Sequence, residues 1–203
     1  ALIIDYVLTI SISIASGIDA LFSFLPSDLQ QYKIFIAIFF VCFLAFLNLR
    51  GMKESIKFLL PIFLGFMITH VSLIIYGIAS HHYGLSSLIP QAAQEANEMQ
   101  SSMGWLFVLS VFLKAFSMGG GTYTGLEAVS NNVNTLSEPR VKTAKTTMLL
   151  VAVSLAFMAA GIILVYLLWD IQKIEGQTLN ATAFYALTEN WSFQGIEISK
   201  YLV

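Results

Sequence analysis

An all-α membrane protein is predicted by three features of this sequence. Of 203 residues, 57% are hydrophobic and 11% are charged, against roughly 25% charged in an average soluble domain. Mean hydropathy is +0.78. Five apolar runs approach the roughly 20 residues that a helix needs to cross the hydrocarbon layer. The same composition excludes other classes. A net charge of −2 supplies no positive field for nucleic acid. The lone cysteine, Cys42, allows neither an intramolecular disulfide nor a cysteine-only zinc site. His70, His81 and His82 have no Cys or His partner at a usual ligand spacing. No Gly-rich phosphate cradle and no metalloprotease His pair occurs, so neither an enzyme nor a cofactor is expected.

The spans follow in order. The first covers about 2–25, rich in Ile, Leu and Ser. It is not a signal peptide, because Asp5 sits in it and no basic segment precedes it. The start at Ala1 is read as the mark of a segment of a longer chain. The second span, about 33–49, holds the Phe-rich run Phe35 to Phe46, a lipid-facing or packing surface. The third covers about 58–79, with Pro61 near its start. His70 in it reads as a hydrogen-bonded packing residue rather than a proton carrier. The fourth, about 104–131, is broken by glycines, and the fifth covers about 146–169. Together 1–203 read as one membrane domain.

Loop charge gives a direction. The segment 48–57 carries Arg50, Lys53 and Lys57, and 138–145 carries Arg140, Lys142 and Lys145. Segment 80–103 has no Lys or Arg. The positive-inside rule puts the two basic loops in the cytoplasm. The first span then runs outward, alternation is consistent through all five, and the ends lie on opposite sides. Residues 80–103 are expected to hold a short surface helix, Pro90 to Gln100. The polar tail 170–203 is expected outside the cell. Its triplets Asn180-Ala181-Thr182 and Asn190-Trp191-Ser192 are read as chance, because such triplets are common.

Ionisable residues in lipid are costly and by default face a cavity or a partner. Asp5 is followed by Thr9, Ser13 and Ser16. At helical spacing these fall within roughly 80° of one another, one polar stripe. The serines and the threonine could instead bond back to helix carbonyls. Asp5 cannot satisfy itself that way, although it could sit at the headgroup boundary. Glu127 is the second carboxylate, and Lys114 is a third charge that either pairs or snorkels. Thr124 and Glu127, three apart, share a helix face. Between Lys114 and Thr124 stand Ser117, Met118, Gly119, Gly120 and Gly121. Each glycine costs about 1 kcal/mol of helix propensity relative to Ala. Gly121 and Gly125 fit a small-residue packing face. That face does not require Gly119 and Gly120, so residues 117–121 are expected to unwind, with 122–131 as a second half-helix. Unwound backbone in a membrane lines a cavity or is buried in protein, and the free carbonyls of such a break coordinate cations. Carboxylates, hydroxyls and carbonyls together suit a hard cation or a proton.

Four blocks carry a family resemblance. They are Asp5-Tyr6-Val-Leu-Thr9-Ile-Ser-Ile-Ser13, Asn48-Leu49-Arg50-Gly51-Met-Lys-Glu54-Ser55, Thr124-Gly125-Leu-Glu127-Ala128-Val-Ser130-Asn131 and Glu138-Pro139-Arg140. In this order and spacing the chain resembles the amino acid–polyamine–organocation (APC) transporter superfamily. Within it, the chain looks most like the KimA-type and KUP-like proton-coupled potassium importers. The resemblance implies a partial LeuT-type fold, helices three to seven of about twelve, with the fourth span as the discontinuous helix. It implies an ion path lined by Asp5, Tyr6, Thr9, Ser13, Thr124 and Glu127. One departure stands out: Gly120-Gly121-Thr122-Tyr123 replaces the family's Gly-Cys-Ser-Ala-Leu before Thr-Gly.

The resemblance implies a secondary-active importer in the cytoplasmic (inner) membrane, with potassium ion and protons as transported species. An amino acid permease on the same fold is the alternative, and a transport-inactive membrane fragment is the third. The expected partners are the lipid bilayer and one small solute, potassium or an amino acid. No nucleic acid is expected, and a homodimer stays open.

Overall fold

The computed structural model describes the backbone of residues 2–193 and 196–197, and side chains at 3–51 and 56–191. The remainder of the expected tail, 194–195 and 198–203, lies outside the described residues. Eight α-helices are described: α1 (Leu2–Phe22), α2 (Lys33–Arg50), α3 (Met52–Ser80), α4 (Leu85–Met103), α5 (Trp105–Gly119), α6 (Thr124–Asn131), α7 (Arg140–Leu168) and α8 (Leu179–Thr188). A two-residue antiparallel ladder joins Ser192–Phe193 to Ile196–Glu197. Among the described residues, five stretches are long and apolar enough to cross a membrane: Ile3–Phe22, Ser27–Arg50, Ile56–Ser80, Trp105–Asn131 and Arg140–Leu168. The structure is thus the five-span, all-α arrangement that hydropathy predicts.

The helix bounds differ from expectation where local chemistry outweighs hydropathy. The first helix ends at Phe22, short of residue 25. Pro26 lacks an N–H, and it disfavours the α conformation at Leu25. A 3₁₀ turn, Ser27–Tyr32, then leads into α2. The basic segment 48–57 is not a loop. Only Gly51, at φ 134°, interrupts it, and α3 starts at Met52 because Lys and Glu are good helix formers. That early start corrects the reading of Pro61. It lies inside the helix, where it removes one ladder hydrogen bond. Likewise α7 begins at Arg140, directly after Pro139, so most of 138–145 is helical. With 29 residues each, α3 and α7 measure about 44 Å, longer than the roughly 30 Å hydrocarbon layer. The surface helix expected at 90–100 extends over Leu85–Met103.

The glycine segment is the main correction. Ser117, Met118 and Gly119 remain α-helical in α5. Gly120 and Gly121 lie in a 3₁₀ turn, Gly120–Tyr123, and α6 starts at Thr124 rather than at 122. The backbone there stays right-handed, with Gly120 at φ −58°, ψ −30° and Tyr123 at φ −77°, ψ −8°. The break is a change of hydrogen-bond register from i−4 to i−3, not an extended gap. Three consecutive glycines weaken the α ladder enough for the tighter turn to compete.

The chain divides into two compact units, Ala1–Ser80 with Ile162–Val203, and His81–Gly161. In the first, α1 lies beside α2, and α2 beside α3. Its core gathers Leu73 of α3, Val165 of α7, and Ala183, Phe184 and Leu187 of α8. In the second, α4 lies against α5 across Gly104, at φ 83°. Gly125 of α6 faces α7, where a Cβ would meet Val151 at 3.7 Å.

Candidate functional site

The polar stripe sits on α1, in the first unit. Tyr6 and Thr9 are half-buried, whereas Asp5, Ser13 and Ser16 are exposed. Ser11, off the stripe, donates to the Val7 carbonyl at 2.8 Å. That is the self-bonding open to a membrane serine. Further along α1, Asp19 forms an ion pair with Lys33 at the start of α2.

The second unit holds Thr124 and Glu127. The Thr124 hydroxyl donates to the Gly121 carbonyl at 2.9 Å, and Thr122 donates to the Gly119 carbonyl at 2.7 Å. These hydroxyls engage carbonyls that the 3₁₀ turn loosens from the α ladder. Glu127 is exposed, and its Oε1 accepts from Asn131 Nδ2 at 3.4 Å. That bond lies one helical turn away on the same face. Lys114 is exposed and forms no ion pair among the described residues. Beside the turn, Thr122, Tyr123 and Leu126 border a cavity of about 520 Å³ against Ala152, Ala156 and Ala159 of α7. The predicted site residues therefore stand on two helices, α1 in the first unit and α6 in the second.

A groove of about 400 Å³, in the first unit, was not expected. It lies between the C-terminal half of α1, the middle of α3, and α8. Ser16, the last residue of the stripe, lines it together with Thr69, His70 and Asn180. His70 is hydrogen-bonded through Nδ1 to the Phe66 carbonyl at 3.0 Å. Its ring meets Phe66 and Phe184 at centroid distances of 3.8 and 4.7 Å, in line with the packing role read from sequence. The far wall is α8, whose N-cap Thr178 accepts from Ala181 N at 3.3 Å. Asn180 accepts a hydrogen bond from the Tyr166 hydroxyl, so its side-chain oxygen has a packing partner. The second triplet, at Asn190, ends on Ser192, whose side chain lies outside the described residues.

The chain matches the amino acid permease family over residues 1–197. It is 35% identical over 163 residues to the potassium transporter KimA of Bacillus subtilis (strain 168). That alignment covers 80% of this chain and 26% of KimA, so the chain spans about a quarter of that relative's length.

Proposed function

Since the chain belongs to the amino acid permease family, we propose that its parent protein is a secondary-active transporter taking up potassium together with protons. The observation that carries this reading is the pairing of a carboxylate with neutral oxygens on both helices. Asp5 precedes Tyr6, Thr9 and Ser13 on α1, and Glu127 follows Thr124 by three residues on α6. Carboxylates supply the charge that a cation or a proton needs, and hydroxyls replace part of a hydration shell. The likeness to a protein named a potassium transporter supports the same choice. In this reading the basic segments 48–57 and 138–145 face the cytoplasm of a cell whose inner membrane holds the protein. The 3₁₀ turn between α5 and α6 would be the point about which access alternates.

The test is Glu127→Gln in the complete protein, expressed in a potassium-starved host. Uptake should fall by about tenfold or more, since losing a charged interaction costs roughly 1.5–3 kcal/mol. Unchanged potassium uptake would sink the reading. The family description itself favours a second one, an amino acid permease on the same fold. Inhibition of uptake by micromolar amino acids would select it.

A further inference from the structure

We propose that the end of α1 and the start of α2 hold a phospholipid, with its phosphate against Lys173 and Lys33 and an acyl chain along the two helices. A cleft of about 250 Å³ opens there, within the first unit. Asp19, Gln30, Lys33, Lys173, Gln177 and Thr178 line it. Two lysines against one carboxylate leave a single positive charge. Asp19 and Lys33 pair with each other. Lys173 forms no ion pair or hydrogen bond among the described residues. Asp28, Asp170 and Glu175, the carboxylates nearby in sequence, do not line the cleft. A phosphodiester carries one negative charge, which matches the excess, and its oxygens accept from an ammonium. Gln177 and Thr178 add neutral polar groups to the wall.

The cleft stands where spans end. Helix α1 closes at Phe22, α2 opens at Lys33 and α7 closes at Leu168. Lipid headgroups meet a membrane protein at this level, and Tyr and Trp are enriched there. Tyr32 directly precedes Lys33, and Trp169 directly follows α7. Basic pockets between spans are a usual seat for a lipid headgroup. Deeper along the same two helices runs an apolar groove of about 270 Å³. Helical spacing places it under the ion pair. Ser11, Ala15 and Asp19 are four apart on α1, and Lys33, Ala37 and Val41 are four apart on α2, so each row shares a face. Ser11, Ala15, Ala37 and Val41 line the groove, and the ion-pair partners head the two rows. The Ser11 hydroxyl donates to the Val7 carbonyl at 2.8 Å, so its hydrogen is not offered to the groove. Ile34 and Ile38 also line it and are 71% and 56% exposed. Lys33 to Val41 spans about 12 Å, most of the roughly 15 Å hydrocarbon depth of one leaflet. A polar cleft that heads an apolar groove of this depth has the form of a phospholipid. A free phosphate would leave the groove empty, and a bare acyl chain would leave Lys173 unmatched.

Native mass spectrometry of the complete protein, stripped of lipid in detergent and titrated with phosphatidylglycerol, tests this. One phosphatidylglycerol should bind ahead of the rest. Lys173→Gln should weaken that binding about tenfold, the order of one charge-assisted hydrogen bond. Lys173 has no bond to lose, so the lipid-free variant should unfold at the wild-type midpoint. Ala15→Phe fills the groove from an exposed position and should also weaken binding about tenfold. Two further probes separate the parts. Glycerol phosphate reports on the cleft alone and diacylglycerol on the groove alone, and each should bind at least tenfold more weakly than phosphatidylglycerol. Glycerol phosphate binding as tightly would make the ligand a free phosphate, and diacylglycerol binding as tightly would remove the cleft. Either result overturns the proposal. Unchanged phosphatidylglycerol binding in either variant also overturns it, and would mean that another part of the parent chain covers this face. None of these outcomes depends on which solute the protein moves.

Discussion

The indole Nε1 of Trp169 donates to the Gly77 carbonyl at 3.0 Å, tying the end of α7 to the end of α3. The same glycine is pressed from α8. A Cβ at Gly77 would lie 2.8 Å from Leu187 Cδ2 and 3.0 Å from Val165 Cγ2. Leu187 can swing away, but Val165 is stiff at χ1. Gly77→Ala should therefore lower stability by about 1–2 kcal/mol, overpacking outweighing the gain in helix propensity. The denaturation midpoint of the complete protein in detergent measures this, and an unchanged midpoint would refute the close packing.

Ser23 supports the same region from α1. Its hydroxyl oxygen accepts from the Thr178 backbone N–H at 2.9 Å, and its own hydrogen goes to the Asp19 carbonyl at 2.8 Å. Ser23 is buried, 7% exposed. Ser23→Ala leaves the Thr178 N–H without its partner, at a cost of about 1–3 kcal/mol. Hydrogen exchange should then quicken at 178–181 and not in α2.

The Lys33–Asp19 ion pair is part-exposed, with side-chain accessibilities of 38% and 49%. Solvent screening limits such a pair to less than about 1 kcal/mol. Lys33→Met should shift the thermal midpoint only slightly. A large loss would mean that the pair holds α1 to α2 more strongly than an exposed pair can.

Gly120 and Gly121 have open space where a Cβ would stand, and Gly120 already has helical dihedrals. Alanine at both positions should be accommodated and raise helix propensity by about 1 kcal/mol each. The double variant is expected to melt no lower than the wild type and to transport more slowly, a trade of activity for rigidity. Full transport at raised stability would remove the 3₁₀ turn from the mechanism.

Spans, their number and the positions of Asp5 and Glu127 were legible because hydropathy and helical period are local properties of the chain. The conformation of residues 117–121 was not. Low helix propensity announces that an α ladder weakens, but it does not distinguish a 3₁₀ turn from an extended gap. Pro61 was misjudged for a related reason. Hydropathy marks where lipid begins, whereas Lys and Glu carry the helix on beyond it.

By itself the sequence determined an all-α membrane segment of five spans, with two carboxylates and their hydroxyl neighbours on the first and fourth. Tertiary structure alone decided that the polar tail folds back as α8, that Gly77 must lack a side chain, and that Ser16 and His70 share a groove. The bonds responsible join residues far apart in sequence, 155 positions for Ser23 with Thr178 and 92 for Trp169 with Gly77. No local pattern encodes such a pairing, because each partner alone is an ordinary serine, threonine, tryptophan or glycine. Only when the helices close does burial make each of those bonds necessary.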